Sequence, residues 1–571
     1  MNKVRKITIS FFFLSLTLFL FASLIKLNIP LAEWDRVSLE AATNWSNGVN
    51  KAWVFDHPPL YPFFLSILFK FFGSGVVTAR LANILCALLT AYVLFHLASR
   101  LFNSDSAFWA VVFYLLSPLA IQGALSLDVA DASLLPLLFI ITLNSIHRNT
   151  LHPELKNTAH LSLSVALCFW AKITSSMALI IPLIVGSSLY SLYGRKDNDY
   201  KPWLRNIIGI TVGIVIFLLT WISLSRLLWG NTSSSIILTT PWTAIHSKFK
   251  STANFSSLLT YALHALRTFL WFSPYFLIIW FTKVSHVVGN TPKTTTAEEK
   301  VKSLFAWTTI FYFIGYLVIG GTNWGFPRYH VALLPLVSIF VGKFASDLFF
   351  ELEKKTSIAI IFLSISLICF ITFFLKDPIY FVTLRFKILL LNGYSNIAIT
   401  KKLAIIILYY YGLPLLCGLL LTIFLKIDFN YKMFAICLLF CSLTTLISID
   451  IQQTLVSYRT SNQYGAEGKV QVLQKVRAHV GDGHYVLATP EFIYDLNDKN
   501  LPYVGWGVWK SKNTFLQFTE SHNPQAIIAG LTTNTYYQLK WLLSKDTQLF
   551  LQDDYKFTRI GTYYMWLRVK N

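Results

Sequence analysis

The sequence predicts an all-α polytopic membrane bundle with interfacial juxtamembrane helices and a small α/β domain at its C-terminal end. Two observations carry the bundle. Of the 571 residues, 55% are hydrophobic and only 13% charged, and apolar runs near the ~20 residues that a helix needs to cross a bilayer recur along the chain. A third observation, the return of charge and of short alternating runs after residue 450, carries the α/β domain. The 17 Trp within a 16% aromatic share suit a bundle with many interfacial anchors. The net charge of +21 is scattered over loops between apolar spans, which is the pattern of membrane topology rather than of nucleic-acid binding. Cys86, Cys168, Cys369, Cys417, Cys437 and Cys441 all fall inside apolar segments, so none marks a disulfide or a metal knuckle.

Lys3, Arg5 and Lys6 precede an apolar run from Ile7 to Ile25 that lacks an A-x-A cleavage signal. It reads as an uncleaved first span with its N-terminus in the cytoplasm. The first extracytoplasmic loop, 26–76, follows. Its apolar stretch from Leu60 to Phe72 contains Lys70 and is short for a span, so it is laid in the interface. Further spans are expected near 77–98, 106–126, 131–147, 158–174, 176–193, 207–229, 260–282, 304–320, 328–346, 357–375, 403–425 and 433–450, about thirteen in all. Arg100, Arg148, Lys156, Arg195, Lys201, Arg205, Lys293, Lys354 and Lys355 then lie inside, as the positive-inside bias asks. The basic stretch from Lys376 to Lys402 is the exception. A second large outer loop spans 229–257, and an odd span count places 451–571 outside the cytoplasm. In that domain the β-like runs are Tyr485 to Thr489, Ala526 to Ala529 and Tyr563 to Val569. The helix-like ones are Lys469 to His479 and Tyr536 to Ser544.

Charge set against lipid costs roughly 2.5–3.5 kcal/mol per residue, so ionisable groups at span ends ask for a reason. Asp35 follows the first span. Arg80 begins the second, Asp128 and Asp131 stand at the outer start of the fourth, Lys172 ends the fifth, and Arg328, Tyr329 and His330 begin the tenth. Cations on the outer face oppose the positive-inside bias, and an anionic ligand explains them. For a lipid-linked phosphate sugar, Asp35 supplies a general base for an acceptor hydroxyl. His57, Lys172 and Arg328 supply charge for a departing phosphate. Bland uses stand beside these: Asp35 as a helix N-cap, Asp128 and Asp131 as caps, Lys172 snorkelling to the interface, and Arg328 and Arg80 as salt-bridge partners or lipid anchors. Asp56, Glu33 and Glu40 read as solvated helix-face charges, and His264 with Arg267 as a packed polar pair. No cofactor is called for. A divalent metal stays open, but Asp56, His57 and His246 have no spacing that fixes a zinc site.

The order of Trp34-Asp35, Phe55-Asp56-His57-Pro58-Pro59-Leu60, Ala79-Arg80-Leu81, Ser99-Arg100-Leu101-Phe102, Ala130-Asp131-Ala132, Ala171-Lys172 and Arg328-Tyr329-His330 resembles the GT-C superfamily of polyprenyl-phosphate-sugar glycosyltransferases. Within it the resemblance is to glycosyltransferase family 39. It implies inverting transfer of a sugar from a polyprenyl-phosphate donor, of the undecaprenyl type, outside the cytoplasmic membrane of a bacterium. The acceptor would be a glycolipid such as lipid A, a polysaccharide or a protein. It further implies Asp35 as base, His57 near the donor phosphate, and Lys172 and Arg328 as cations facing the donor. Arg36 departs from the acidic pair that many members carry. Rival readings are a transporter or flippase for a lipid-linked or anionic solute, a ligase that moves a whole glycan from a lipid diphosphate, and a non-enzymatic sensor. Charges gathered at one face, without two matching halves, speak against the transporter.

Overall fold

A computed structural model of the chain describes residues 3–29, 31, 35–50, 53, 57–128, 133–193, 200–229, 272–289, 296–319, 328–351, 364–369, 395–424, 431–455, 468–481, 484–489, 492, 496, 508–530, 540–561 and 563–569. The expected bundle is there. Its helices are α1 (Lys3–Ile25), α2 (Asp35–Ser46), α3 (Leu60–Phe72), α4 (Val76–Leu101), α5 (Ser104–Leu115), α6 (Pro118–Leu125), α7 (Leu134–Leu151), α8 (Leu155–Ala171), α9 (Ile173–Tyr193) and α10 (Lys201–Trp229). They continue as α11 (Pro274–Gly289), α12 (Ala297–Ile319), a 3-10 turn (Arg328–Leu333), α13 (Leu334–Glu351), α14 (Asn396–Ile406), α15 (Leu413–Phe424) and α16 (Tyr431–Leu455). Among the described residues seven helices are long and apolar enough to cross a membrane, or eight if the bent pair α5 and α6 is one span.

The expected span at 106–126 is that bent pair, turned by 61°. Pro118 cannot donate to the preceding turn, and Ser117 caps the new helix by accepting from Leu119 N–H. The bend puts the end of α6 beside α1 and α4. α3 is a short apolar helix, as expected, and packs on α2. A π turn over Ile407–Gly412 joins α14 to α15. The expected spans at 260–282 and 357–375 lie partly outside the described residues, as do the expected loop 229–257 and most of 376–402.

Small residues set the closest helix contacts, since helices in lipid associate through packing rather than by hiding apolar surface from water. At Gly342 in α13 a Cβ would come within 2.4 Å of Ala110 N and 2.6 Å of Ser106 O. Gly213 in α10 meets Ser162 O of α8 in the same way, at 2.5 Å.

The C-terminal part contains a four-stranded sheet in the order β1 (Val486–Ala488), β2 (Ala526–Gly530), β4 (Tyr563–Arg568), β3 (Tyr555–Ile560). β1 and β2 are parallel and the other pairs antiparallel. The helices α17 (Lys469–His479), α18 (Lys512–His522) and α19 (Lys545–Gln552) accompany it. Two apolar clusters sit on it: Val472, Val476, Val486 and Met565 in one, Trp509, Phe515, Ile527 and Trp566 in the other. Three strands and α17 fall where the pattern put them, whereas β3, α18 and α19 did not stand out. For 536–544 the described part is a 3-10 turn, Lys540–Leu543.

Candidate functional site at one end of the bundle

The link between α6 and α7 leaves regular structure at Ser126, because α7 starts at Leu134 and not at 131. Ser126 is in extended backbone, and the N–H of the next residue, Leu127, turns to Asp35. Asp35 opens α2, where a carboxylate also meets the positive end of the helix dipole. Its Oδ1 accepts from Leu127 N–H at 2.8 Å, and the side chain is only 3% exposed. Asp35 is thus held across the fold, beyond a purely local cap. Its neighbour Arg36, at the departure from the acidic pair, lies one turn from Glu40 in an ion pair of 3.5 Å.

Arg80, in the first turns of α4, is buried below the same link. Its Nη1 donates to Leu27 O at 2.7 Å and Ile29 O at 2.6 Å, and its Nε to Leu125 O at 3.1 Å. Asn83, one turn on, donates to Ser126 O. Arg80 therefore ties the end of α1 and the end of α6 to α4. These three bonds are those of a positioning residue.

Tyr61 in α3 completes the cluster. Burial pushes its phenol well above its usual pKa, the neighbouring Asn83 side chain works against that, and the charge of Asp35 adds to it. Asp128 is buried in the link and its N–H donates to Ser126 Oγ at 3.3 Å. Asp131 lies outside the described residues, so the shared face expected for the two acids does not arise within them.

Lys172 stands where α8 breaks into α9, in extended backbone and fully buried. Two residues earlier, the Trp170 ring lies 6.5 Å from Phe63 of α3, so this break is at the same end of the bundle as Tyr61. Phe63 stacks on Trp45 at 4.5 Å, and both stack on Trp229 at the end of α10. Trp53 joins this group and donates from Nε1 to His57 O at 2.6 Å. Of the three residues whose spacing fixed no zinc site, Asp56 and His246 lie outside the described residues, as do Glu33, His264 and Arg267.

Arg328 and Tyr329 lie in the 3-10 turn that packs against α6 and α7, which brings their backbone to the same end. His330 is buried against Phe313 and Phe272, with Nε2 3.3 Å from Phe313 O. That is a packed position.

Sequence reasoning missed Tyr61, Asn83 and the Leu127 N–H. It also missed Lys469 at the start of α17, whose Nζ donates to Leu31 O at 3.0 Å and sits 5.0 Å from the centre of the Phe492 ring. The pairing of Trp45 and Trp53 in an amphipathic loop was a signal for the aromatic group. Nothing local signalled Lys469.

Residues 56–225 match the protein-family model described as dolichyl-phosphate-mannose-protein mannosyltransferase. The fold of the whole chain is similar to that of ArnT from Cupriavidus metallidurans in complex with undecaprenyl phosphate. The TM-score is 0.56 at 15% identity, covering 99% of this chain and 98% of that one. ArnT from the same organism in the apo state gives 0.55 at 14% identity, covering 98% and 97%. No curated protein matches by sequence. The matched segment and the fold are similar to those of integral, multi-pass membrane glycosyltransferases. Within that class the model matched by residues 56–225 is of the family 39 type, in line with the resemblance read from the sequence.

Proposed function

We propose that the chain transfers a sugar, with inversion, from a polyprenyl-phosphate donor of the undecaprenyl type to a hydroxyl or phosphate of an extracytoplasmic acceptor. The acceptor class is a glycolipid such as lipid A, a polysaccharide or a protein. The reaction takes place at the Asp35 end of the bundle, on the outer side of a bacterial cytoplasmic membrane. The N-terminus is cytoplasmic, and residues 451–571 form an extracytoplasmic domain over the site. The observation that carries this reading is a buried carboxylate fixed at a membrane-boundary helix start, with a fully buried lysine at a helix break at the same end of the bundle.

Asp35 accepts the proton of the acceptor hydroxyl as its oxygen forms a bond to the sugar C1. The C1–O bond to the lipid phosphate breaks on the opposite face, and the phosphate leaves with the electron pair. Lys172, His57 and Arg328 offset the growing charge of that phosphate. Asp128 and Asp131 orient the sugar or acceptor, Tyr329 and His330 shape the far wall, and Arg80 holds the link that presents Leu127 to Asp35. The family description and the undecaprenyl phosphate bound to the ArnT relative support a lipid phosphate donor for this fold.

The test is to give purified protein a panel of radiolabelled polyprenyl-phosphate sugars and a lipid-diphosphate glycan, with membrane acceptors, and to follow label. Label moving from a monophosphate donor, with inversion at C1, is expected. Label moving only from the diphosphate would turn the chain into a glycan ligase. Movement of intact lipid-linked sugar across vesicles, without bond cleavage, would sink the transferase reading in favour of a flippase.

A further inference from the structure

The opposite end of the bundle holds a second polar cavity of about 550 Å³, lined by Arg100, His147, Arg148, His152, Lys156 and Glu298 among others. Arg100 lies in the last turn of α4, Arg148 in the last turn of α7 with His147 just before it, and Glu298 in the first turn of α12. His147 is 3% exposed, and neither of its ring nitrogens has a hydrogen-bond partner. A buried imidazole with two unanswered nitrogens is costly, and it lines an open cavity. The positive-inside bias accounts for cations in loops on this face, but not for a buried imidazole left unmet beneath them.

We propose that this cavity binds a phosphate group. Arg100 and Arg148 offer the forked donors that match phosphate oxygens, and the buried His147 forms the floor beneath them. Arg100 already donates to Asn144 Oδ1 at 3.2 Å, which steadies its side chain beside the cavity. The wall is cationic overall. It carries Arg100, Arg148 and Lys156 against Glu154 and Glu298, and Glu154 is taken by Lys156 at 2.9 Å. The volume suits a headgroup as well as a free ion. The ligand is then the phosphodiester of an anionic membrane lipid or inorganic phosphate, and in either case it is distinct from the donor at the Asp35 end.

The experiment uses the full chain in detergent and in nanodiscs. Thermal unfolding is measured against inorganic phosphate in one arm and against phosphatidylglycerol in the other. Wild type, Arg148→Gln, His147→Leu and Arg205→Gln are compared, the last being a basic residue of α10 that does not line the cavity. Stabilisation of the wild type in one arm is expected, with apparent affinity reduced at least ~10-fold in Arg148→Gln and unchanged in Arg205→Gln. The responding arm names the source of the phosphate. Arg148 is exposed, so its variant keeps the test readable if His147→Leu does not fold. Equal loss in Arg205→Gln would reduce the effect to general charge and overturn the proposal, as would the same response in wild type and Arg148→Gln, or no response in either arm.

Discussion

The two polar ends of the bundle use similar residues in opposite ways. At the Asp35 end, charge is buried and engaged with the backbone: Asp35 holds Leu127 N–H, and Arg80 holds three carbonyls from two other segments. At the other end the arginines are exposed and a buried histidine is unanswered. The first arrangement is what chemistry needs, because a general base must stay where the reacting proton will be before substrate arrives. The second leaves donors to be satisfied by something that comes and goes. The contrast teaches that burial of charge marks preorganisation only when the partner groups are also fixed.

The largest effect should follow from Asp35→Asn, which preserves shape and removes the base. Transfer should fall by about 10²–10⁴-fold, with donor binding and thermal stability close to wild type. A folded variant with normal turnover would erase the distinction between the two ends. Next comes Arg80→Met, which leaves the carbonyls of Leu27, Ile29 and Leu125 without that donor. A loss of roughly 1.5–3 kcal/mol or more is expected when buried carbonyls lose bonds from a charged donor, read as a lower unfolding midpoint and poor yield. If Arg80→Met is stable but loses donor affinity alone, Arg80 is a ligand after all and the first sequence reading of it returns.

Lys469→Met tests whether the C-terminal part holds the first loop. Removing its bond to Leu31 O, four residues before Asp35, should lower turnover by ~3–10-fold, as loss of a bond from a charged donor worth about 1.5–3 kcal/mol only partly transmits to the base. Lys469→Arg should recover much of it. Equal turnover in Lys469→Met and wild type would uncouple the two parts.

The smallest effect is a control in the C-terminal sheet. Tyr555 donates to Pro524 O at 2.8 Å, and burial raises its phenol to about 12. The raised value means the neutral form is favoured in the folded state. Its contribution is therefore present below pH ~10, the unfolded phenol value, and is lost as pH rises through about 12. Tyr555→Phe should cost about 1 kcal/mol, flatten that alkaline loss, and leave transfer unchanged. A change in transfer would give this sheet a part in the site.

Much of the fold was legible because lipid imposes it. Apolar runs of span length can only be helices there, and the cation bias of the loops orders them. The bend at Ser117 was written in Ser117-Pro118, although a hydropathy window reads across it. Asp35 was legible as an acid placed just after an apolar run. Its grip on Leu127 was not, because that bond joins residues 92 apart in sequence. The same holds for Lys469 and Leu31, 438 apart. β3 escaped because Lys556, Thr558 and Arg559 make it half-polar, as suits an edge strand of this sheet.

The most direct test of the central claim is a single-turnover measurement on wild type and Asp35→Asn. Each is loaded with the same radiolabelled polyprenyl-phosphate sugar, and donor binding is measured in parallel. The account predicts equal donor binding, with the C1–phosphate bond broken and label transferred only by the wild type. Transfer by folded Asp35→Asn at the wild-type rate would contradict it and move the base elsewhere.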